Sequence, residues 1–229
     1  NEKIKPQFKL VEFQIIKDIM SLGVKFFVIQ IITICLYQTN NILLAQFHNI
    51  ESVSEYNIAF KYMNTLYFAY MIIVTPAWSA TTEAYILKDY AWIRKLEFKL
   101  TKIWFIMLIV GAILILISSN VYTIWLNESV LQSNKLLLSL LLCLILSQAM
   151  YGNYGFIING IGKLRAQIVI TGVTAVFYIP VTIYFVKLFG LYGVAISGII
   201  VNLINICWSR FQFKKLINAD FKQNSFWTR

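Results

Sequence analysis

The sequence predicts an all-α fold: a polytopic membrane protein whose transmembrane part is a six-helix bundle. Hydrophobic residues make up 59% of the chain and charged residues 13%, whereas soluble domains average roughly 45–50% and ~25%. Six apolar runs have about the 17–25 residues with which a helix crosses the hydrocarbon core. These runs are Leu22–Phe47, Asn57–Thr81, Ile103–Ser119, Leu136–Ile158, Ala166–Val186 and Leu191–Trp208.

The distribution of basic residues predicts how the bundle is oriented. Of the 20 Lys and Arg residues, 16 flank one face of the membrane. They lie in an amphipathic lead-in (1–21), in the connections after the second and fourth spans, and in a basic tail (209–229). Short basic segments stay in the cytoplasm, so both termini are expected there. The net charge of +10 then reflects topology and contact with anionic membrane lipids, and nucleic acid is not an expected partner.

Cysteine labelling tests this orientation. Ser129 lies in a predicted outer loop and Asn218 in the predicted inner tail. A cysteine replacing Ser129 should react with a membrane-impermeant reagent added to intact cells, and one replacing Asn218 should react only after the membrane is opened. The reverse pattern would overturn the topology.

The first span contains a polar run at 37–41 (Tyr-Gln-Thr-Asn-Asn). Polar side chains in hydrocarbon are costly unless they face protein or water. The run therefore lines an internal cavity, marks a locally unwound helix, or hydrogen-bonds neighbouring helices. We take Gln38, Asn40 and Asn41 as substrate-cavity candidates.

Two lysines also fall inside predicted spans. Lys25 lies near the inner end of the first span and Lys61 near the outer end of the second, where Asn57 and Asn64 share its helical face. Intramembrane ionisable residues are candidates for function, and these four join the cavity set. The alternative is that both lysines snorkel to the nearby interface.

The other spans and their connections contain residues that predict kinks, caps and close helix packing. Thr75-Pro76 predicts a kink in the second span, because proline removes a backbone donor. Asp89–Lys102 predicts an amphipathic helix in the headgroup plane, capped by Asp89. Its apolar stripe, expected to face lipid, is Trp92, Ile93, Leu96 and Leu100. Small residues in the fourth and sixth spans predict close helix packing, and the fifth span carries a mid-helix proline, Pro180.

The sequence predicts no enzyme, metal site or cofactor. Its three cysteines lie in separate spans, where buried structural thiols are expected, and its single histidine, His48, has no ligand-spaced neighbours. No glycine-rich phosphate loop, Ser/His/Asp arrangement or HExxH motif is present. An acid–base enzyme needs convergent titratable groups, and the spans hold almost none.

Several motifs resemble one transporter family. The most extensive is 75–85 (Thr-Pro-Ala-Trp-Ser-Ala-Thr-Thr-Glu-Ala-Tyr), followed by the basic stretch 88–95. The others are Thr39-Asn40-Asn41, Glu55-Tyr56-Asn57, Tyr122–Leu126, Asn159–Lys163 and Gly190–Ala195. Their order and spacing resemble the C-terminal half of a lipid-linked oligosaccharide flippase (O-antigen, Wzx type), a polysaccharide biosynthesis protein of the multidrug/oligosaccharidyl-lipid/polysaccharide exporter superfamily.

The resemblance implies one half of a two-bundle transporter of the inner membrane. Such a protein would flip a polyprenyl-diphosphate-linked oligosaccharide, an O-antigen or other repeat unit, through a cationic cavity by alternating access. Because the chain begins with Asn1, an N-terminal six-helix half is expected upstream. The alternatives are a multidrug or small-molecule exporter of the same superfamily, with an aromatic and acidic cavity, and a non-transporting truncated membrane protein.

Overall fold

The structure, a computed structural model, describes residues 13–47, 50–126 and 134–225. It confirms the all-α class. The helices are α1 (Phe13–Phe47), α2 (Ile50–Val74), α3 (Pro76–Ile86), α4 (Tyr90–Leu126), α5 (Lys135–Ile161), α6 (Arg165–Phe189) and α7 (Leu191–Ser225). His48, the outer loop with Ser129, and the ends of the predicted lead-in and tail lie outside the described residues.

The chain is a multi-pass membrane protein. Five of the described helical segments are long and apolar enough to cross a bilayer: Ile50–Ile86, Tyr90–Trp125, Lys135–Ile161, Ala166–Phe189 and Leu191–Ile217. The surface is apolar where a soluble protein would be polar: on α4, for example, Phe105, Ile109, Ile113 and Leu116 are all exposed. Such a continuous apolar surface matches lipid. α1 runs unbroken through 22–47, so the helix is not unwound at its polar run.

At the predicted kink before Pro76, the helix is interrupted at the single residue Thr75, whose backbone angles remain helical (φ −52°, ψ −39°). α2 ends at Val74, and α3 begins at Pro76. Thr75 closes the first helix by donating from both its backbone N and its Oγ1 to the Met71 carbonyl, at 2.9 and 2.6 Å. Proline at the first position of α3 has no N–H that would need a partner.

The prediction of a separate helix in the headgroup plane over 89–102 is wrong. Residues 90–126 form one helix of 37 residues, roughly 55 Å long and therefore longer than the hydrocarbon core. The apolar stripe faces protein, since Ile93 is fully buried and Leu100 is 3% exposed. The expected cap is correct, because Asp89 accepts a 2.9 Å bond from the Trp92 backbone N.

α5 lies at the centre of the bundle and packs against α2, α3, α4 and α7, while α1 packs mainly against α6. Leu137, Leu141 and Ile145 of α5 are fully buried. The expectation of buried cysteines is wrong for two of the three: Cys143 and Cys207 are exposed and free. They lie on apolar helices, where a thiol behaves as a small hydrophobic side chain.

The helix ends are fixed by specific residues. Asn134 caps α5 by accepting from the Leu137 backbone N at 3.0 Å. Gly162 ends α5 with a left-handed φ of 78°, and Gly190 joins α6 to α7 with a φ of 62°. α7 continues through the start of the predicted basic tail, where Phe213 and Ile217 are buried.

The backbone conformation of Lys88 predicts that glycine at this position would stabilise the protein. It adopts a φ of 58° in the turn between α3 and α4, a region that costs a non-glycine residue about 1–2 kcal/mol. Lys88→Gly should raise the stability of the detergent-solubilised protein by about 1 kcal/mol, measured as thermal unfolding. Lys95→Gly is the control: it removes the same exposed charge type from the interior of α4 and should cost about 1 kcal/mol. Equal shifts in the two variants would contradict the prediction.

Candidate functional site

A partly open cavity of about 260 Å³, with polar side chains in a largely apolar wall, lies between α1, α2, α5, α6 and α7. Four amide side chains, three phenols and two threonines contribute to its wall. The lining residues are Asn40, Tyr67, Leu144, Gln148, Tyr151, Gly152, Thr171, Thr174, Tyr178, Gly198, Val201, Asn202 and Asn205. Among the described residues, no charged side chain lines it.

Helical spacing brings these side chains together. On α6, Thr171, Thr174 and Tyr178 are three and four residues apart and therefore share one face. On α7, Asn202 and Asn205 repeat the same spacing. Glycines at the wall keep the helices close without filling the space between them.

Three hydrogen bonds at the cavity wall join four helices, α1, α5, α6 and α7. Tyr178 donates from its hydroxyl to Asn40 Oδ1 at 2.7 Å, which joins α6 to α1. The hydroxyls of Tyr151 and Thr171 lie 3.2 Å apart and join α5 to α6. Asn202 Nδ2 donates to Ser147 Oγ at 3.1 Å, which joins α7 to α5. The wall is therefore a preformed hydrogen-bonding surface rather than a loose gap.

The structure brings one of the predicted site residues, Asn40, to this cavity. Asn41 is half-buried beside it in sequence, and its Oδ1 is buried without a hydrogen-bond partner. The side chains of Lys25 and Gln38 lie outside the described part of the structure. Asn40 thus both lines a cavity and hydrogen-bonds a neighbouring helix, within a continuous α1, and its contact with a substrate stays a prediction.

The predicted residues on α2 lie elsewhere. Lys61 is exposed, Asn64 is half-buried, and Asn57 donates from Nδ2 to the Val53 carbonyl of its own helix at 2.9 Å. None of the three lines the cavity. Of the three, Lys61 belongs to a second surface on the outside of the bundle.

We call this surface the α2–α3 face and define it by its exposed polar residues: Lys61, Thr65, Thr75, Ser79 and Glu83. Intervals of 4, 10, 4 and 4 residues place them on one side of the helical segment Ile50–Ile86, and the exposed apolar side chains of Phe68 and Ile72 lie between them on the same side. The hydroxyls of the three Ser and Thr residues donate to carbonyls of the chain's own helices at 2.6–3.1 Å. Their oxygen lone pairs remain able to accept hydrogen bonds from outside.

The half of the α2–α3 face from Thr75 to Glu83 is formed by α3 and the residue before it. Thr75, Ser79 and Glu83 border an open depression of about 890 Å³ together with the half-buried Trp78. Trp78 packs on Phe156 of α5, with ring centroids 6.5 Å apart. Thr82 ties α3 to α5 by donating to the Gly160 carbonyl at 3.1 Å.

Most residues of the cavity wall were not among the predicted site residues. Tyr151, Thr171, Thr174, Tyr178, Asn202 and Asn205 all lie within predicted spans, but the sequence did not assign them to a site. The available signal was the repetition of neutral polar residues at helical spacing within apolar spans. The described residues contain no cluster of His, Cys, Asp and Glu that could hold a metal ion.

No protein-family model matches the sequence, and no curated protein matches it. One similar solved structure is the inward-facing conformation of a multidrug resistance MATE family transporter of the MOP superfamily. The two align with a TM-score of 0.71 at 19% identity, over 93% of this chain and 50% of that one. The chain spans about half the length of that transporter and has the fold of one half of it.

Proposed function

We propose that this chain forms one half of an inner-membrane transporter that flips a polyprenyl-diphosphate-linked oligosaccharide from the cytoplasmic to the outer face. A second six-helix bundle supplies the other half, and both termini of this chain are cytoplasmic. The fold supports a transporter half, and the sequence motifs support the flippase branch. Rocking of the two bundles against each other gives alternating access.

The observation that carries the proposal is the α2–α3 face. Much of the bundle surface is apolar, as in the middle of α4, where Phe105 and Ile109 are exposed. On either side of the exposed Phe68 and Ile72, the α2–α3 face presents a cation near the outer end and hydroxyls and a carboxylate towards the inner end. Polar groups at the depth of the membrane are expected to face protein or a water-filled path. A second bundle opposite this face would enclose such a path.

The chemistry of the face suits the substrate. A lysine ammonium in a low-dielectric path attracts a diphosphate far more strongly than in bulk water. Hydroxyl and carboxylate oxygens accept hydrogen bonds from sugar hydroxyls, and an aromatic ring such as Trp78 packs on their apolar faces. The polyprenyl tail stays in the bilayer. In this proposal Lys61 contacts the diphosphate, and Lys25, Gln38 and Asn41 remain further candidates for the same path.

The test is complementation of a flippase-deficient strain with the intact protein. Lys61→Ala should reduce glycan export at least severalfold, because the positive potential on the path is lost. Lys61→Arg should keep part of the activity, since charge matters more than shape for a moving diphosphate. Lys135→Ala is the matched control: this exposed lysine at the start of α5 lies outside the α2–α3 face, and its loss should leave export unchanged.

Protein abundance in the membrane has to be equal for all variants, as judged by blot. Wild-type export by Lys61→Ala at equal abundance would remove the role proposed for Lys61 and favour snorkelling. Failure of the wild-type protein to complement any flippase-deficient strain would contradict the flippase itself.

A multidrug exporter is the second candidate, and Trp78 and Glu83 favour it. An aromatic ring beside an exposed carboxylate suits organic cations. In that case expression should raise resistance to cationic drugs, and Glu83→Gln should abolish the resistance while Lys61→Ala preserves it. Drug resistance without glycan export would replace the first proposal by this one.

A further inference from the structure

The cavity inside the bundle contains a buried acceptor that the protein does not satisfy. Asn205 is 6% exposed and lines the cavity, and its Oδ1 has no hydrogen-bond partner among the described residues. An unpaired buried amide oxygen is strongly unfavourable. Something that donates a hydrogen bond is therefore expected beside this atom.

The cavity wall restricts what that donor can be. The described lining carries no charge, so no basic group attracts an anion and no carboxylate compensates a cation. An apolar molecule would leave Asn205 Oδ1 unpaired. Water matches the wall, because it is neutral and both donates and accepts hydrogen bonds.

The dimensions also fit water. A water molecule takes about 30 Å³ of liquid volume and needs two to four polar partners. The 260 Å³ cavity thus has room for about eight molecules at that density. Besides Asn205, the side chains of Gln148, Thr174 and Asn202 provide polar atoms at the wall.

We propose that the cavity holds a cluster of ordered waters anchored on Asn205 Oδ1, and that these waters connect α7 to α5 and α6. Water bridges take the place of direct side-chain contacts across the gap and make it a hydrated layer inside the bundle. The inference rests on the cavity alone and does not depend on what the protein transports.

Radiolytic hydroxyl labelling of the protein in nanodiscs tests the proposal. A short X-ray pulse generates radicals from water in place, so side chains beside trapped water are oxidised even where bulk solvent is excluded. Tyr178 lines the cavity at 7% exposure, and Tyr62 is 8% exposed outside it. Both hydroxyls are hydrogen-bonded. Mass spectrometry should show Tyr178 oxidised at least threefold faster than Tyr62.

Two further measurements complete the test. Asn205→Leu should lower Tyr178 oxidation to the rate of Tyr62, because the leucine removes the anchor and fills the space. Thr174→Val, a nearly isosteric change at the same wall, should lower the rate of Tyr178 oxidation partly. This variant replaces Asn205→Leu in the test if Asn205→Leu does not fold. Equal oxidation of the two tyrosines in the wild type would overturn the proposal. Oxidation of Tyr178 that falls when sodium or potassium replaces choline in the buffer would also overturn it, since a cation would then displace the water.

Discussion

Gly193→Ala should destabilise the protein by at least about 3 kcal/mol, the upper end of the usual cost of overpacking. Gly193 follows the single-residue turn at Gly190 that joins α6 to α7. A Cβ at this position would overlap the backbone of Phe185 and Val186 on α6. Backbone atoms cannot rotate away as a flexible side chain can, so the α6–α7 hairpin would have to open.

Thermal unfolding of the detergent-solubilised protein measures this effect. For a chain of this size, 3 kcal/mol corresponds to a fall of roughly 6–12 °C in Tm. Gly172→Ala, in the middle of α6, is the control, because no atom lies within 4 Å of its added Cβ. It should leave Tm unchanged or raise it slightly, since alanine favours a helix over glycine. A Gly193→Ala protein as stable as wild type would show that the hairpin is less tightly closed than described.

The fold class was predictable because hydrophobicity in a membrane protein is a long, redundant signal. Loss of one residue does not hide an apolar run such as Leu136–Ile158, and the helix observed there is α5. The sequence also predicted the helix cap at Asp89 and the helix interruption before Pro76. Each acts on its own backbone neighbours, through a side-chain cap in one case and a missing N–H in the other.

The long helix α4 was not predictable from the same signal. Lys95, Lys99 and Lys102 divide its sequence into a basic amphipathic part and an apolar part, and this composition is typical of an interfacial helix followed by a span. The structure shows a different cause for the amphipathic pattern. Tyr154 of α5 donates to Glu97 at 3.1 Å, and the buried stripe of α4 packs on the bundle, so protein occupies the side on which lipid was expected.

The sequence predicted one residue of the cavity wall and not the others, because the wall is assembled by helix packing. Asn40 lies within a polar run that is conspicuous inside an apolar span. Thr174 and Asn205 lie far apart in sequence. They form one site only because the faces of α6 and α7 that carry them both line the cavity. Which faces meet is decided by helix packing, including the close approach of Gly198 to Leu144.

Gly160→Ala should separate α3 from α5 and lower stability by about 1–3 kcal/mol, the usual range for an added methyl group in a packed interface. An added Cβ would lie 2.7 Å from Thr81 Cβ and 2.8 Å from the Trp78 carbonyl oxygen. The carbonyl belongs to the α3 backbone, so relief requires a shift of the helix. The bond from Thr82 to the Gly160 carbonyl would lengthen with it.

Under the proposed function, the same substitution should also impair export, because α3 carries Ser79 and Glu83 of the α2–α3 face. Gly155→Ala is the matched control on α5: its nearest neighbour would be Gln167 Nε2 at 3.8 Å, an ordinary contact. We expect Gly160→Ala to lower both Tm and export, and Gly155→Ala to preserve both. Reduced export at unchanged Tm would show that the substitution shifts α3 without a loss of packing energy. That result would indicate that the position of α3 against α5 changes during the transport cycle. Unchanged Tm and unchanged export together would contradict the tight α3–α5 contact.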